Sequence, residues 1–424
     1  MKSLFDKFFF RTNNLDYICK NIRDITNHTP AYKIFNAINS FSLESEIRYV
    51  GGCIRKIINN EKVDDIDLAT NLLPQEVCHA LKKENISYYE TGLDHGTITA
   101  VIDKQKFEIT TLREDISTDG RHANVKFSKS WKDDSLRRDF TINSIYSDGE
   151  GNLFDPHNGK QDLENGLINF IGDENKRIKE DYLRILRYIR FFLNYSKQPH
   201  NLKTVKSLRM NINGVSKLSK ERLLDELKKT TKLYSLEKLS KDKICLELVQ
   251  IIFPELKHIS IFTKLDKNKK NLLNNNDFIF FLSLMTVDES DNVEYFLYKY
   301  NLSKKDQKRI RFIHRFFQKK IQKKTFTENN MNNIFYYEGK DSVIDILKFK
   351  LIKSKKIDNN IENLINLFDK KIKPIMPINA DMLIRKYKVP KGRMLGDKLR
   401  MIEEEWASNN FEISEKKLKD IIDN

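Results

Sequence analysis

Cysteine is scarce in this chain: Cys19, Cys53, Cys78 and Cys245 are the only four in 424 residues, and no C-x-x-C spacing occurs. That excludes a disulfide framework and a cysteine-ligated zinc site as organising devices. Long apolar runs are missing too. No stretch approaches the roughly 18 to 20 consecutive apolar residues of a membrane span. Phe8-Phe9-Phe10 is too short for a signal-peptide core and is soon followed by Asp16 and Asp24. The expectation is a reduced, cytoplasmic setting. Glycine and proline thin out beyond residue 177, until KIKPIMPINADM near residue 375, which leaves the second half open to long helices. With 39% hydrophobic and 32% charged residues, the chain is too apolar for a disordered polyelectrolyte. Its length suits about two to four domains.

An excess of charge of one sign is also missing, but only from the first half. Residues 1–200 sum to about −1 and residues 201–424 to about +17, giving the formal net charge of +16. A Lys- and Asn-rich composition alone would spread the excess evenly. Its position points to a polyanionic partner for the second half.

Residues 1–45 carry an apolar-aromatic helical pattern. From Ile47 to about Ser147 short β runs dominate: IRYVGG, DDIDLAT, GTITAVID, KFEITTL, NVKFS and TINSIYS. They are interleaved with helical segments such as PQEVCHALKKEN, which reads as an α+β domain. Two turn-like segments follow, GEGNLFDPHNG and LENGLINFIGDENK. Beyond Arg177 the spacing of Ile178, Tyr182, Ile185, Leu186, Ile189 and Phe192 predicts helix, and helix continues to the end. The fold class expected is α+β: an N-terminal head with a small mixed sheet flanked by helices, then an all-helical neck, body and tail. The boundaries expected are 1–155, 156–255, 256–374 and 375–424.

The most informative segment runs from Gly51-Gly52 through Arg55 to Asp65-Ile66-Asp67. On a strand, Asp65 and Asp67 would face one way, with Ile66 and Leu68 against the core. Adjacent carboxylates repel unless a cation lies between them, which suggests a Mg²⁺ site for phosphate chemistry. Gly51 and Gly52 before a helix start let backbone N–H groups approach a triphosphate, and Arg55 adds charge. Either half alone also fits an edge strand or an ordinary turn; the two together are far more specific. In KFEIT, Phe107 and Ile109 alternate inward and Glu108 projects to the opposite face as a possible third carboxylate. Leu136-Arg137-Arg138-Asp139 through Asn143 offers guanidiniums for phosphate. Asp139 and Asn143 suit ribose hydroxyls or a helix cap. In EDYLRILRYIR, Asp181 and Arg184 share a helix face and provide an acceptor and a donor fork able to read a base edge. An i,i+3 ion pair is the plainer reading. Arg187 and Arg190 continue the stripe.

These motifs resemble, in order, those of class II CCA-adding enzymes (tRNA nucleotidyltransferases) and bacterial poly(A) polymerases, within the polymerase β-like nucleotidyltransferase superfamily. The resemblance rests on GGCIR, DIDLAT, HGTIT, FEITTLRED, TDGRHANVKF, RRDFTIN, DPHNG and EDYLRILRYIRF. It is dense over about residues 47–230, includes KERLLDELKK, and thins afterwards. A tail segment from Asn379 with Gly392, Gly396 and Trp406 is similar to that of some bacterial members.

The resemblance implies that Asp65 and Asp67 hold two Mg²⁺ ions, with Glu108 as third carboxylate. Gly51, Gly52 and Arg55 would contact the triphosphate. Arg137 or Arg138 with Asp139 and Asn143 would contact phosphate and ribose. Asp181 and Arg184 would select CTP and then ATP, with Arg187 and Arg190 beside them. Arg113, Asp119 and Arg121 fall in the flexible switching loop, and Asp155 and Gly159 in a hinge motif. The chain departs from the family at Lys56, where Asp is usual. No His-Asp dipeptide occurs among the eight histidines, so no HD-type phosphohydrolase module is expected. The activity implied is addition of C, C and A to tRNA 3′ ends by two-metal catalysis, with the tRNA acceptor arm as partner. No membrane and no protein partner are indicated. Lysine and arginine runs around 304–311 and 319–324 would meet the phosphate backbone. A poly(A) polymerase shares the catalytic motifs, and a catalytically degenerate RNA-binding protein is the alternative of another class.

Overall fold

The computed structural model describes residues 4–118, 123–319, 325–354 and 358–423. It divides into two compact units, Met1–Leu227 and Lys228–Asn424. The first begins with α1 (Leu4–His28) and α2 (Ala31–Asn39), followed by β1 (Ile47–Val50), α3 (Gly52–Ile58), β2 (Ile66–Thr70), α4 (Pro74–Lys83), β3 (Ser87–Gly92), β4 (Thr97–Ile102) and β5 (Gln105–Thr111). Then come the hairpin strands β6 (Arg113–Thr118) and β7 (Ala123–Phe127), α5 (Trp131–Leu136), and the short strands β8 (Tyr146–Ser147) and β9 (Leu153–Phe154). Helices α6 (Gly159–Asn165), α7 (Glu174–Glu180), α8 (Leu183–Tyr195), α9 (Leu202–Asn211) and α10 (Lys220–Thr230) complete this part.

The main sheet has the order β3-β4-β5-β2-β1-β8-β9, while β6 and β7 pair separately. Its β2–β5 pair is parallel and the others are antiparallel. Period-2 alternation sets the two faces. Leu68, Phe107, Ile109, Ile98 and Ala100 turn into one core with Ile22, Ile34, Ile54, Val77 and Leu81 of α1 to α4. Burying each large apolar side chain there contributes about 1.5–3 kcal/mol. Residues one step out of phase, Asp67 and Glu108 among them, point to the other face. A smaller cluster of Val50, Ala69, Leu112 and Tyr146 seals that side.

Three local departures from the sequence pattern matter. SYYETG pairs as β3 with β4, a strand outside the β runs read from the sequence, although its two tyrosines and threonine favour one. The turn-like GEGNLFDPHNG contains β9, and TINSIYS contributes only β8 after a 3₁₀ turn at Thr141–Asn143. The helix expected from Ile178 through Phe192 breaks at Asp181, whose backbone is extended (φ −152°, ψ 106°). Asp181 Oδ1 accepts the Leu183 N–H at 3.1 Å, which begins α8 anew.

The second unit contains helices and no strand among the described residues. One core gathers Met331, Phe335, Ile346, Leu347, Leu351 and Phe368 from the helices Glu328–Glu338, Lys340–Lys353 and Asn359–Lys370. A second gathers Leu383, Ile402, Leu418 and Ile421 from the last three helices. Residues 371–379, containing KIKPIMPIN, form no helix, as proline at two of nine positions dictates. Among the described residues no helix is long and apolar enough to cross a membrane. The architecture is the α+β class expected: a small mixed sheet with flanking helices, then helices throughout.

Candidate active site

The parallel pairing of β2 with β5 puts Asp67 directly beside Glu108. Both project from the face opposite the main core. Asp67 is half-buried and Glu108 exposed. Burial, and then the neighbouring Glu108 and Asp65, push the Asp67 carboxyl above its ordinary value, against the pull of Arg138 and Arg55. Alternation with Asp67 places Asp65 on the strand, whereas β2 starts one residue later and Asp65 stands exposed just before it. Among the described residues the three carboxylates do not converge within 4.8 Å of one another. The donor set is nonetheless all oxygen and mutually repelling, and it suits a hard divalent cation, which relieves that repulsion.

Gly51 reaches φ +70°, a conformation that favours glycine, and α3 starts directly after it. A Cβ added at Gly52 would lie 3.8 Å from both Arg55 Nη2 and Asp67 Oδ2. A Cβ at Gly51 would lie 3.7 Å from Arg138 Nη1 and 3.6 Å from the Asn143 carbonyl. The glycine turn therefore brings the carboxylate face, Arg55, Arg138 and Asn143 to one place.

Arg55 is 7% exposed. It donates from Nη1 to Asn143 Oδ1, and its guanidinium stacks on Phe191 (4.7 Å) and Tyr195 (5.4 Å) of α8. Asn143 Nδ2 donates to Asp139 Oδ1 at 2.8 Å, and Arg187 Nε donates to Asp139 Oδ2 at 2.5 Å. Burial alone would raise the Asp139 pKa, but Arg187 and the bonds from Asn143 and Arg187 lower it to about 2. Asp139 and Asn143 therefore bind each other and link two arginines instead of capping a helix.

Arg137 and Arg138 are held from below by Asp134, a residue the motif reading passed over. Asp134 is 1% exposed and accepts from Arg137 Nε (2.8 Å), Arg138 Nη2 (3.0 Å) and Tyr146 Oη (2.7 Å). Against its burial, Arg138 and Arg137 hold its carboxyl far below the usual carboxylate range. The signal was present: Asp134 precedes the two arginines by three and four residues, the spacing of helical ion pairs.

The stripe on α8 has other partners than the sequence suggests. Asp181 and Arg184 do not pair with each other. Asp181 Oδ2 binds Arg222 Nη2 at 2.8 Å, and Arg184 Nη1 binds Glu180 at 2.7 Å and the Arg177 carbonyl at 2.6 Å. Arg187 and Arg190 converge on Glu226, at 4.0 and 2.7 Å. Arg177, Glu180, Arg222 and Glu226 were not marked by the motifs. Arg222 and Glu226 lie in KERLLDELKK, whose helical pattern gave no hint of these distant partners.

The remaining expected positions are placed as follows. Arg113, at the start of β6, donates to the His95 carbonyl; burial and Arg137 pull its pKa down to about 10. Asp119 and Arg121 lie outside the described residues. Lys56 pairs with Asp64 at 3.2 Å. Both Asp155 oxygens accept backbone N–H groups at 2.8 Å, from Gly159 and Lys160, and a Cβ at Gly159 would collide with the Thr141 backbone.

Residues 47–169 match the family described as the poly A polymerase head domain. Over 187 residues the chain is 44% identical to the human CCA tRNA nucleotidyltransferase 1, mitochondrial, covering 43% of each chain. The match thus spans under half the length of that relative. In fold, the chain is similar to the Bacillus stearothermophilus CCA-adding enzyme in complex with CTP, with a TM-score of 0.70 at 20% identity over 92% of this chain and 95% of that one. It is also similar to the Thermotoga maritima CCA-adding enzyme complexed with tRNA, with a TM-score of 0.61 at 19% identity over 93% and 94%. The family match is confined to residues 47–169, and the relatives and structural neighbours are named CCA tRNA nucleotidyltransferase and CCA-adding enzyme.

Proposed function

We propose that the protein is a template-independent nucleotidyltransferase that adds C, C and A to the 3′ end of tRNA from CTP and ATP, releasing pyrophosphate. The observation that carries this reading is the meeting of the Asp67–Glu108 carboxylate face with Arg55, Arg138, Asp139 and Asn143 around the Gly51-Gly52 turn. Asp65 and Asp67 would hold divalent cations, Mg²⁺ by donor chemistry, with Glu108 beside them. Bound there, the metal supplies neutralisation of phosphate charge and a more acidic attacking hydroxyl.

The chain's own groups do the rest. Arg55 and Arg138 present fixed guanidiniums to the triphosphate, and the backbone of the glycine turn lets it come close. Asp139 and Asn143 keep Arg55 and Arg187 at a set separation. Asp181 and Arg184 offer a carboxylate and a donor fork to the base edge, each braced by another residue. No group need act as a general base, since positioning and charge stabilisation carry phosphoryl-type transfer. Residues 1–155 serve as the catalytic head and 156–255 as the neck; 256–374 and 375–424 bind tRNA. A cytoplasmic setting belongs to the same proposal, while the human relative bears a mitochondrial designation in its name.

The head-domain match also suits a poly(A) polymerase. Incubation with tRNA ending before CCA, Mg²⁺ and each nucleotide singly decides between them. Two C additions from CTP followed by one A from ATP support the proposal. Long A tails from ATP alone, or no addition at all, overturn it.

A further inference from the structure

We propose that Phe191 and Tyr195 are positioning residues for Arg55, forming an aromatic clamp that locks the triphosphate-facing guanidinium to the same helix that carries the base-reading Arg184. The inference rests on the proposed nucleotide site and assigns it a mechanical coupling.

The clamp is visible in the contacts of one side chain. Arg55 comes from α3 in the head, and its guanidinium lies over the rings of Phe191 (4.7 Å) and Tyr195 (5.4 Å) on α8. Its hydrogen bond to Asn143 uses Nη1 alone, and its buried Nε has no hydrogen-bond partner. A single hydrogen bond fixes one corner of a guanidinium and leaves its plane free to turn. Contact with ring faces removes that rotation. Bidentate contact with phosphate needs the plane to be fixed.

Phe191 does more than fill space. Its ring also lies under Arg190 (4.2 Å) and Arg187 (5.6 Å), and Phe140 braces it edge-on at 5.3 Å. Three guanidiniums gather around one ring, with Asp139 and Glu226 paired to Arg187 and Arg190. Arg184, Arg187 and the two rings share α8, so the elements facing base and phosphate keep one register. Loosening the clamp should weaken hold on the phosphates whichever base is present.

The test is a double-mutant cycle read by calorimetric binding of CTP, ATP and inorganic tripolyphosphate to the full chain with Mg²⁺. Tyr195→Leu is expected to weaken all three by about 3- to 10-fold, the scale of one cation–aromatic contact. Tyr195→Phe, which keeps the ring, should restore binding. In an Arg55→Ala background Tyr195→Leu should have no further effect. Phe191→Leu should act more strongly, and because that ring is core, the half-buried Tyr195 keeps the question decidable if the variant does not fold. Additive losses in the cycle, or loss of CTP binding with tripolyphosphate unchanged, would overturn the clamp. So would a wild type that binds neither CTP nor tripolyphosphate. A wild type that binds CTP but adds nothing to tRNA counts against the proposed activity alone, and the cycle still decides the clamp.

Discussion

Asp139 receives the Nε–H of Arg187 at 2.5 Å, across 48 positions of sequence, and so ties the turn after α5 to α8. Its carboxyl, 8% exposed, is lowered to a folded pKa of about 2, below the ordinary aspartate value of about 3.9. Because the folded value is the lower one, the contribution is complete above about pH 4 and is lost as pH falls towards 2. The shift corresponds to about 2 kcal/mol. Asp139→Asn should therefore lower stability by about that amount at neutral pH, measured by urea unfolding. The gap between variant and wild type should shrink between pH 4 and 2; a gap that is constant with pH would show that the pair contributes nothing through its charge.

Gly159 is demanded by close approach more than by backbone angle. A Cβ there would meet the Thr141 carbonyl group, in the turn that also supplies Asn143. Gly159→Ala should cost about 3 kcal/mol or more, the range of overpacking against rigid backbone. It should also reduce nucleotide addition by displacing Asn143 and with it Arg55. Wild-type thermal stability in this variant would refute the packing argument.

The carboxylate face predicts a separation of chemistry from binding. Asp67→Ala should reduce addition by at least ~1,000-fold, as expected when a metal ligand is removed from a phosphoryl-transfer site. Affinity for tRNA should be nearly unchanged, since Asp67 lies on the sheet and the basic excess lies after residue 200. Turnover near wild type would remove Asp67 from the mechanism.

How much of this was legible depended on the range of the interaction. The faces of Asp67 and Glu108 followed from alternation with Leu68, Phe107 and Ile109, because strand period is a local property. Asp65 lies one residue before β2, which begins at Ile66, because strand ends are set by pairing partners. Asp134 was legible in principle, three and four residues before the arginines it binds. The pairs Asp181–Arg222 and Arg190–Glu226 span 41 and 36 positions, and no local rule reaches that far. The contacts of Arg55 with Phe191 and Tyr195 were invisible for the same reason, since they join distant parts of the sequence.

Selectivity should respond to the brace on Arg184 as well as to Arg184 itself. Arg184→Ala should reduce discrimination of C and A from U and G by about 10- to 100-fold, matching the 1–3 kcal/mol of a bidentate base contact. Glu180→Gln leaves the guanidinium but weakens its charged anchor at 2.7 Å, so it should relax selection by less. Addition assays with each nucleotide singly give both numbers. Equal selectivity in the two variants and wild type would exclude this stripe from base reading.

The basic runs of the second unit divide by what already holds them. Arg309 binds Asp345 at 2.6 Å, and Arg311 binds Glu294 at 2.8 Å. Lys304 and Lys305 on the same helix are exposed. Phosphate contact should therefore fall on the lysines, while Arg309 serves the fold. Lys304→Gln with Lys305→Gln should reduce the slope of log affinity for tRNA against log salt by about 1 to 2, without loss of stability. Arg309→Ala should leave the Asp345 carboxylate, 4% exposed, without its ion-pair partner and cost about 3 kcal/mol in urea unfolding. Its salt slope should stay at the wild-type value under conditions where the chain is folded. The opposite assignment, a reduced slope from Arg309→Ala and none from the lysine pair, would place the nucleic acid on a different face of that helix.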